Sequence, residues 1–331
     1  MTDPILDIRN LTVHFGQIAA VNDVSLTLRR GETLGLVGES GSGKSTASRA
    51  ILQINRASSG EVRFDGEELV SARGSRLKAL RRRMQMVFQD PRSSLDPRMT
   101  VGALLEEPLV IFGVGTRASR KTKVAEMLHL VGLDPAVSSR YPHEFSGGQA
   151  QRIAIARALI LEPELIIADE PVSALDVSIQ AQIINLLAKL RAQLNLSMLF
   201  IAHDLAVVRH ISDRVAVMYL GRVVELADRD RLYAAPAHPY TRALLSAVPV
   251  PDPSVEVHRR REILTGEMPS SGRLPSGCAF RSRCPLHKTL GQPEICTTVL
   301  PPLLELTPGQ SAACHFADQT AAGRIQHGAS A

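Results

Sequence analysis

The sequence lacks the segments that would export it or place it in a membrane. No stretch of it approaches the roughly eighteen uncharged apolar residues that a membrane-spanning helix needs. Its first residues, MTDPILDIRN, carry acids and a proline where a signal peptide needs a basic start and an apolar run. We therefore expect a cytosolic chain that does not itself cross a membrane.

Two further absences narrow the class of protein. No internal repeat is visible, and the basic residues form short runs such as Arg81 to Arg83, not the long stripe that follows a nucleic-acid backbone. The 331 residues are 44% apolar and 21% charged with a net charge of +5, which is typical of a soluble globular protein too large for one core. We expect one large domain with an appendage and no nucleic-acid partner.

Cysteine is absent from most of the chain, and the four cysteines are confined to one tail, at Cys278, Cys284, Cys296 and Cys314. Structural disulfides are rare in cytosolic proteins, so this confinement favours metal binding. The close pairs that zinc sites prefer are missing, while four thiolates also suit an iron–sulfur cluster. The spacing does not separate zinc from iron–sulfur, and unligated cysteines are a third interpretation. His287 or His315 could replace one thiolate as a ligand.

Strand and helix patterns alternate along the rest of the chain. The apolar runs ETLGLVG (32–38), LIIADE (165–170) and MLFIAHD (198–204) are typical of buried parallel strands, and helical periodicity follows the first two. Between 91 and 161 only helical patterns occur. The sequence therefore predicts an α/β domain over 1–235 with a helical insertion at about 91–161, followed by a loop-rich extension over 236–331 that is rich in proline.

A phosphate-binding loop follows the first of these strands. GESGSGKST has the spacing of two glycines followed by lysine and serine, and a predicted helix begins at its end, which is the context that the motif requires. Backbone N–H groups of such a loop point at phosphate oxygens, the lysine reaches the β and γ phosphates, and the serine binds Mg²⁺. The residues expected to hold the nucleotide are Gly38, Ser40, Gly41, Ser42, Gly43, Lys44, Ser45 and Thr46.

Two acids end the strand LIIADE. After a phosphate loop, Asp169 is expected to serve as a carboxylate for Mg²⁺, and Glu170 to polarise the water that attacks the γ phosphate. The alternative for such a pair is a helix cap. We therefore expect the chain to bind and hydrolyse a nucleoside triphosphate.

A second glycine pair lies about a hundred residues after the phosphate loop. Ser146, Gly147, Gly148 and Gln149 open a predicted helix and again combine a hydroxyl, flexible amides and a helix N-terminus suited to phosphate.

Together these motifs resemble the ATP-binding subunits of ABC transporters over nearly the whole chain, with SGGQ similar to their signature motif. The resemblance implies a P-loop NTPase of ABC type, with a RecA-like core, an antiparallel β subdomain, an inserted helical subdomain and the C-terminal extension. It also implies a head-to-tail dimer in which the signature of one subunit closes over the ATP held by the phosphate loop of the other.

The same resemblance assigns roles to four more residues. Gln89 is similar to the glutamine that contacts Mg²⁺ and the attacking water, and His203 to the histidine that holds the γ phosphate. Asp176 lies in SALD, which resembles the loop that passes across the dimer. Phe15 occupies the place of the aromatic residue that stacks on adenine; a packed core phenylalanine is the alternative.

A narrower resemblance comes from the run RYPHEFSGGQAQRIAIARALILEPELIIADEPVSALDVSIQAQIINLL, from HPYTRALLSAVPVPDP and from the cysteine tail. These are similar to the F-type ATPase subunit of oligopeptide and dipeptide importers. That branch implies a D-type ATPase partner (a homodimer being the alternative), two membrane permease subunits, an extracytoplasmic binding protein and a peripheral location on the cytoplasmic face of the membrane. It favours a four-iron four-sulfur cluster over zinc at the cysteines.

The rival interpretation is a soluble ABC ATPase that clamps nucleic acid or ribosomes. Such proteins carry two ATPase halves or a long coiled-coil insertion, and this chain has neither. Within the importer branch, the cargo could also be nickel or glutathione.

Overall fold

The computed structural model describes residues 3–248, 264, 269 and 275–321. The end of the motif HPYTRALLSAVPVPDP, at 249–253, lies outside the described residues. Among the helices of the described ranges, none is both long enough and apolar enough to cross a bilayer.

The strands are β1 (Leu6–Phe15), β2 (Ile18–Leu28), β3 (Thr33–Val37), β4 (Ser59–Phe64), β5 (Glu67–Glu68), β6 (Met84–Val87), β7 (Leu165–Asp169), β8 (Ser197–Ala202), β9 (Arg214–Tyr219), β10 (Arg222–Asp228), β11 (Leu304–Thr307) and β12 (Gln310–Ala312). The helices are α1 (Lys44–Ile51), α2 (Gly74–Arg83), α3 (Pro91–Ser94), α4 (Val101–Ile111), α5 (Arg117–Leu130), α6 (Gly147–Leu159), α7 (Val177–Leu194), α8 (Leu205–Ile211), α9 (Arg229–Ala234), α10 (Pro239–Ala247), α11 (Pro285–Thr289), α12 (Ile295–Thr298) and α13 (Ala317–Ala321). The predicted α/β fold is confirmed.

The chain forms two compact units that alternate along the sequence. The first consists of Met1–Asp7, Thr27–Thr33 and Val62–Ala202, and the second of Ile8–Leu26, Leu34–Glu61 and His203–Ala331.

The first unit contains three parallel strands with β7 in the middle. Ile166 of β7 lies opposite Gln85 of β6 and Met198 of β8. Every residue of β7 and β8 is buried, which explains why both strands read as continuous apolar runs. Because parallel strands end at the same edge of a sheet, the residues that follow β6 and β7 emerge side by side.

Helices occupy the stretch from 91 to 161 of the same unit. All regular elements there are α or 3-10 helices, as the periodicity predicts. Thr116 and Ser119 cap the start of α5 with reciprocal hydrogen bonds, in which each side-chain hydroxyl accepts from the backbone N–H of the other residue. Leu105 of α4 and Ile153 and Ile155 of α6 are fully buried, and these apolar faces stabilise the helical part.

The second unit contains strands in the order β11, β12, β10, β9 and β3. Strand β3 runs parallel to β9, and the remaining pairs are antiparallel. A hairpin joins β9 and β10 near Gly221, with positive φ at both Leu220 and Gly221. Strands β1 and β2 lie mostly in this unit and neighbour each other in a separate sheet.

The C-terminal extension, which the sequence predicts to be rich in loops, contains two strands. Strand β12 pairs with β10, with Ala312 opposite Glu225, and β11 pairs with β12. Both strands are short, with sequences LELT and QSA, and neither shows an apolar alternation long enough to predict a strand. Part of the extension therefore continues a sheet of the second unit.

A buried carboxylate helps to hold the extension on this sheet. Glu225 accepts hydrogen bonds from the backbone N–H groups of Ala237 and His238, both at 2.8 Å, and from the side-chain amide of Gln310 at 3.0 Å. Burial raises the pKa of Glu225 above its usual range. These bonds satisfy polar groups that would otherwise be buried without partners.

Candidate functional site

The predicted phosphate loop lies in the second unit, between β3 and α1. Gly43 has a φ of 101°, and a Cβ there would lie 2.2 Å from the carbonyl oxygen of Ala20. A Cβ on Gly38 would lie 2.2 Å from the carbonyl oxygen of Met218. Both positions therefore require glycine, for the backbone conformation at Gly43 and for close packing at both.

Lys44 reaches back across this loop. Its Nζ donates to the carbonyl oxygens of Gly38 at 2.7 Å and Glu39 at 2.9 Å, and lies 3.3 Å from the hydroxyl of Ser42. The lysine is only 4% exposed, so its charge is held inside the loop. Ser45 and Thr46 are half-buried at the start of α1, while Ser40 and Gly41 are exposed at the tip of the loop.

Two more predicted site residues belong to the second unit. Phe15 ends β1 with 51% of its surface exposed, so the alternative of a packed core phenylalanine is wrong. His203 is exposed and comes directly before Asp204, whose carboxylate caps α8 through the N–H of Ala206 at 2.7 Å. The cap fixes the backbone next to the histidine.

The predicted catalytic acids lie in the first unit at the end of β7. Asp169 is buried, with 2% of its surface exposed. Glu170 has a φ of 47°, an uncommon conformation for a residue other than glycine. Its N–H donates to the carbonyl of Ile201 at 3.0 Å, and its carboxylate accepts a hydrogen bond from the amide of Gln89 at 3.1 Å. The structure thus brings Gln89 and Glu170 into contact.

The second glycine motif begins α6. The hydroxyl of Ser146 accepts from the N–H of Gln149 at 3.3 Å, and the side-chain oxygen of Gln149 accepts from the N–H of Ser146 at 3.1 Å. A Cβ on Gly148 would lie 2.6 Å from Cγ2 of Ile179 in α7. Ser146 and Gln149 are exposed and the two glycines between them are half-buried, so this helix N-terminus lies at the surface.

Asp176 precedes α7, and its side chain makes no capping hydrogen bond to that helix. The next residue, Val177, is 81% exposed.

Comparison with known proteins identifies the family. Residues 21–173 match the family model of the ABC transporter, and residues 224–289 match that of the oligopeptide/dipeptide transporter, C-terminal region. The oligopeptide transport ATP-binding protein AppF of Bacillus subtilis is 50% identical over 326 residues, covering 95% of this chain and 98% of AppF. The chain belongs to the ABC transporter family. It is an ABC-type ATPase.

Solved ABC structures share its fold. CbiO1 from Clostridium perfringens, part of the ABC transporter complex CbiONQ, is 28% identical with a TM-score of 0.65, covering 70% of this chain and 91% of CbiO1. The dimeric ATP-binding cassette MJ0796 bound to ADP and phosphate is 31% identical with a TM-score of 0.61, covering 68% of this chain and 98% of the cassette.

The cysteines of this ABC ATPase are free thiols. Burial raises the pKa of both Cys284 and Cys314 to about 12, and it raises those of Cys278 and Cys296 as well. Neighbouring thiols add to the shift at each of Cys278, Cys284 and Cys314. The four side chains therefore lie within electrostatic range of one another.

This arrangement does not form a metal site of the expected kind. Across 3–248 and 275–321, no group of three or more cysteine, histidine, aspartate or glutamate side chains is placed to hold a metal ion. The ring nitrogen Nε2 of His315 is 2.9 Å from the carbonyl of Val299, and the N–H of His287 donates to the sulfur of Cys284 at 3.4 Å. The geometry supports neither the zinc nor the iron–sulfur prediction.

Proposed function

We propose that this ABC ATPase powers the import of oligopeptides or dipeptides. The observation that carries the proposal is the match of residues 224–289 to the oligopeptide/dipeptide transporter region, together with 50% identity to AppF over 95% of the chain. In this proposal, residues 1–235 form the ATPase domain with its helical insertion at about 91–161, and residues 236–331 form the extension.

ATP binds through the phosphate loop in this proposal. Backbone N–H groups between Gly38 and Thr46 contact the phosphates, and Lys44 adds a cation beside the β and γ phosphates. The depth at which Lys44 is buried supports this role, because a charge in a water-poor loop acts strongly on phosphate. Phe15 stacks on adenine, and its exposed ring supports that contact.

Hydrolysis depends on the residues around Glu170. Its carboxylate accepts a proton from the attacking water, and Gln89 orients the carboxylate and the water. Mg²⁺ neutralises phosphate charge, and hydroxyl, amide and carboxylate oxygens of Ser45, Gln89 and Asp169 are the ligand types that it prefers. His203 donates to the γ phosphate. The hydrogen bond between Gln89 and Glu170 supports this assignment.

Two subunits share each ATP in this proposal. The helix N-terminus at Ser146, Gly147, Gly148 and Gln149 closes over the partner's nucleotide, and Asp176 lies in the loop that crosses the dimer. Bound triphosphate stabilises the closed dimer, and hydrolysis removes the contacts that hold it. The dimeric state of the related cassette MJ0796 supports this arrangement.

A groove in the first unit offers a docking place for a permease subunit. It has a volume of about 250 Å³ and is lined by Phe88, Ile111, Phe112 and Arg157 among others. Phe88 and Ile111 are exposed, at 38% and 53%. Apolar side chains in a surface groove suit an amphipathic helix. The full assembly would comprise a D-type ATPase or a second copy of this chain, two permease subunits and an extracytoplasmic binding protein, with this chain on the cytoplasmic face.

We also propose that the cysteines hold a thiolate-bound centre when the tail closes around it. Four thiols within electrostatic range of one another support this, because a cation would remove the cost of ionising them together. We therefore retain a four-iron four-sulfur cluster, with zinc as the alternative, as a proposal. Iron, acid-labile sulfide and zinc content of anaerobically purified protein test it; the absence of all three contradicts it.

Extraction in mild detergent tests the assembly. The chain should copurify with two membrane proteins, and its loss should abolish uptake of a labelled peptide. Comigration with ribosomes or DNA in place of membrane proteins would contradict the proposal. Uptake of nickel or glutathione, with peptide uptake unchanged, would contradict the peptide cargo alone.

A further inference from the structure

The C-terminal extension makes an ion pair with the phosphate loop. The guanidinium of Arg283 donates to both carboxylate oxygens of Glu39, at 2.8 Å and 3.1 Å. The Arg283 side chain is 8% exposed and that of Glu39 is 28% exposed, so water screens the pair weakly. Two parallel N–H bonds to one carboxylate fix its orientation as well as its charge.

A second contact from the extension holds the backbone of the same residue. The N–H of Glu39 donates to the hydroxyl of Tyr240 at 2.9 Å. Tyr240 is fully buried, and its ring packs against those of Tyr219 and Phe280 with centroids 4.8 Å and 5.4 Å away. The extension therefore holds Glu39 by both its side chain and its backbone.

Glu39 in turn contacts the lysine of the phosphate loop. Its carbonyl oxygen accepts a hydrogen bond from Nζ of Lys44 at 2.9 Å. A change in the position of Glu39 therefore changes the position of a cation beside the phosphates.

The charge of Glu39 needs compensation at this place. A carboxylate in a loop that binds a triphosphate repels it, and the repulsion is strong where water is scarce. Arg283 supplies the opposite charge at hydrogen-bonding distance. It lies in a tightly turned segment, where the N–H of Arg283 donates to the carbonyl of Phe280 at 3.0 Å and that of Cys284 to the carbonyl of Arg281 at 3.3 Å.

We propose that Arg283 is a positioning residue for ATP binding: it neutralises and orients Glu39, so that the phosphate loop accepts a triphosphate. The cysteine-bearing segment of the extension is thereby part of the ATP site. The proposal rests on ATP binding by the phosphate loop and not on the identity of the cargo.

The test measures the Kd for ATP on the purified full-length chain carrying Arg283→Gln, Glu39→Gln or both changes. Arg283→Gln should raise the Kd by about tenfold, because it leaves a carboxylate unpaired beside the phosphates. Glu39→Gln should lower the Kd, because it removes the carboxylate that repels the triphosphate and leaves the charge of Arg283 near the phosphates. The double variant should recover most of the loss, since the repelling charge is gone.

Matched variants separate positioning from folding. Arg229→Gln removes an exposed ion pair with Asp230 in the same unit and should leave the Kd unchanged. Arg283→Lys keeps the charge but loses the two-pronged contact, so it should fall between wild type and Arg283→Gln.

Three results would overturn the proposal: an unchanged Kd in Arg283→Gln, a double variant as weak as Arg283→Gln, or a Glu39→Gln variant that binds ATP tenfold more weakly. The Glu39→Gln measurement tests the proposal even if the Arg283→Gln chain does not fold. ATP binding by the wild type, and its loss in Lys44→Ala, test separately whether the phosphate loop is the ATP site. Failure of peptide uptake with these Kd values as expected would contradict only the proposed cargo.

Discussion

The side-chain amide of Gln89 donates a hydrogen bond to the carboxylate of Glu170 at 3.1 Å. The two residues follow adjacent parallel strands, so the sheet itself places them side by side. Glu170 also adopts a left-handed backbone conformation, which aims its side chain differently from those of the strand before it. This pair is the part of the catalytic proposal that rests on a direct contact.

Glu170→Gln should leave the Kd for ATP near the wild-type value and reduce steady-state hydrolysis by about 10²–10⁴-fold, the usual contribution of a general base. Phosphate release at saturating ATP measures it. The control Glu162→Gln alters an exposed glutamate that pairs with Lys123, and it should not change turnover. Unchanged turnover in Glu170→Gln would remove Glu170 from the mechanism.

Lys44→Ala should weaken ATP binding itself by about 1.5–3 kcal/mol, the range for hydrogen bonds to charged groups. Calorimetric titration with ATP measures the change. The exposed lysine of α7, Lys189, offers a matched control, because Lys189→Ala removes the same charge away from the loop. Equal affinities for wild type and Lys44→Ala would contradict the assignment of the loop.

Ser146→Ala should reduce hydrolysis at the ATP held by the other subunit. Consider a dimer that carries Ser146→Ala on one subunit and Lys44→Ala on the other. Both changes then fall in the same ATP site, and the second site stays intact and should keep about half of the activity. Both changes on the same subunit should damage the two sites separately and lower the activity further. Ser75→Ala, on the exposed surface of α2, is the control. Identical rates in both arrangements would contradict a shared site.

His238 makes folding depend on pH. Burial lowers its pKa to about 3, below the usual value of 6.5. An unfolded chain takes up a proton at this residue as pH falls below 6.5, and the folded chain does not until about pH 3. The stability that His238 contributes is therefore full above pH 6.5 and declines toward about pH 3.

Denaturant unfolding at several pH values checks this dependence. Between pH 6 and pH 4 the wild type should lose up to about 1.4 kcal/mol of unfolding free energy per pH unit more than His238→Asn. The comparison cancels the opposite effect of Glu225, whose pKa is raised. Parallel stability curves for the two proteins would show that His238 titrates normally in the folded chain.

Local patterns predict much of this structure. The strand, glycine loop and helix around Lys44 are consecutive in sequence, and the acids Asp169 and Glu170 follow a run of four buried apolar residues. The hairpin at Gly221 was predictable for the same reason, since its turn and both strands are neighbours along the chain.

Other features depend on contacts between distant segments. The ion pair between Glu39 and Arg283 joins residues 244 positions apart, and no periodic pattern in the sequence predicts it. Strand β12 has only three residues and is specified by its pairing with β10. The contact of Gln89 with Glu170 follows from the order of the strands in the sheet, whereas the family resemblance implied only that Gln89 contacts Mg²⁺ and the attacking water.

The central claim is that two subunits hold each ATP between them, and sedimentation of the Glu170→Gln chain tests it most directly. This variant binds ATP without consuming it, so with ATP and Mg²⁺ it should form dimers that retain two nucleotides, and without ATP it should be monomeric. A wild-type chain that remains strictly monomeric while it hydrolyses ATP at its full rate would contradict the claim.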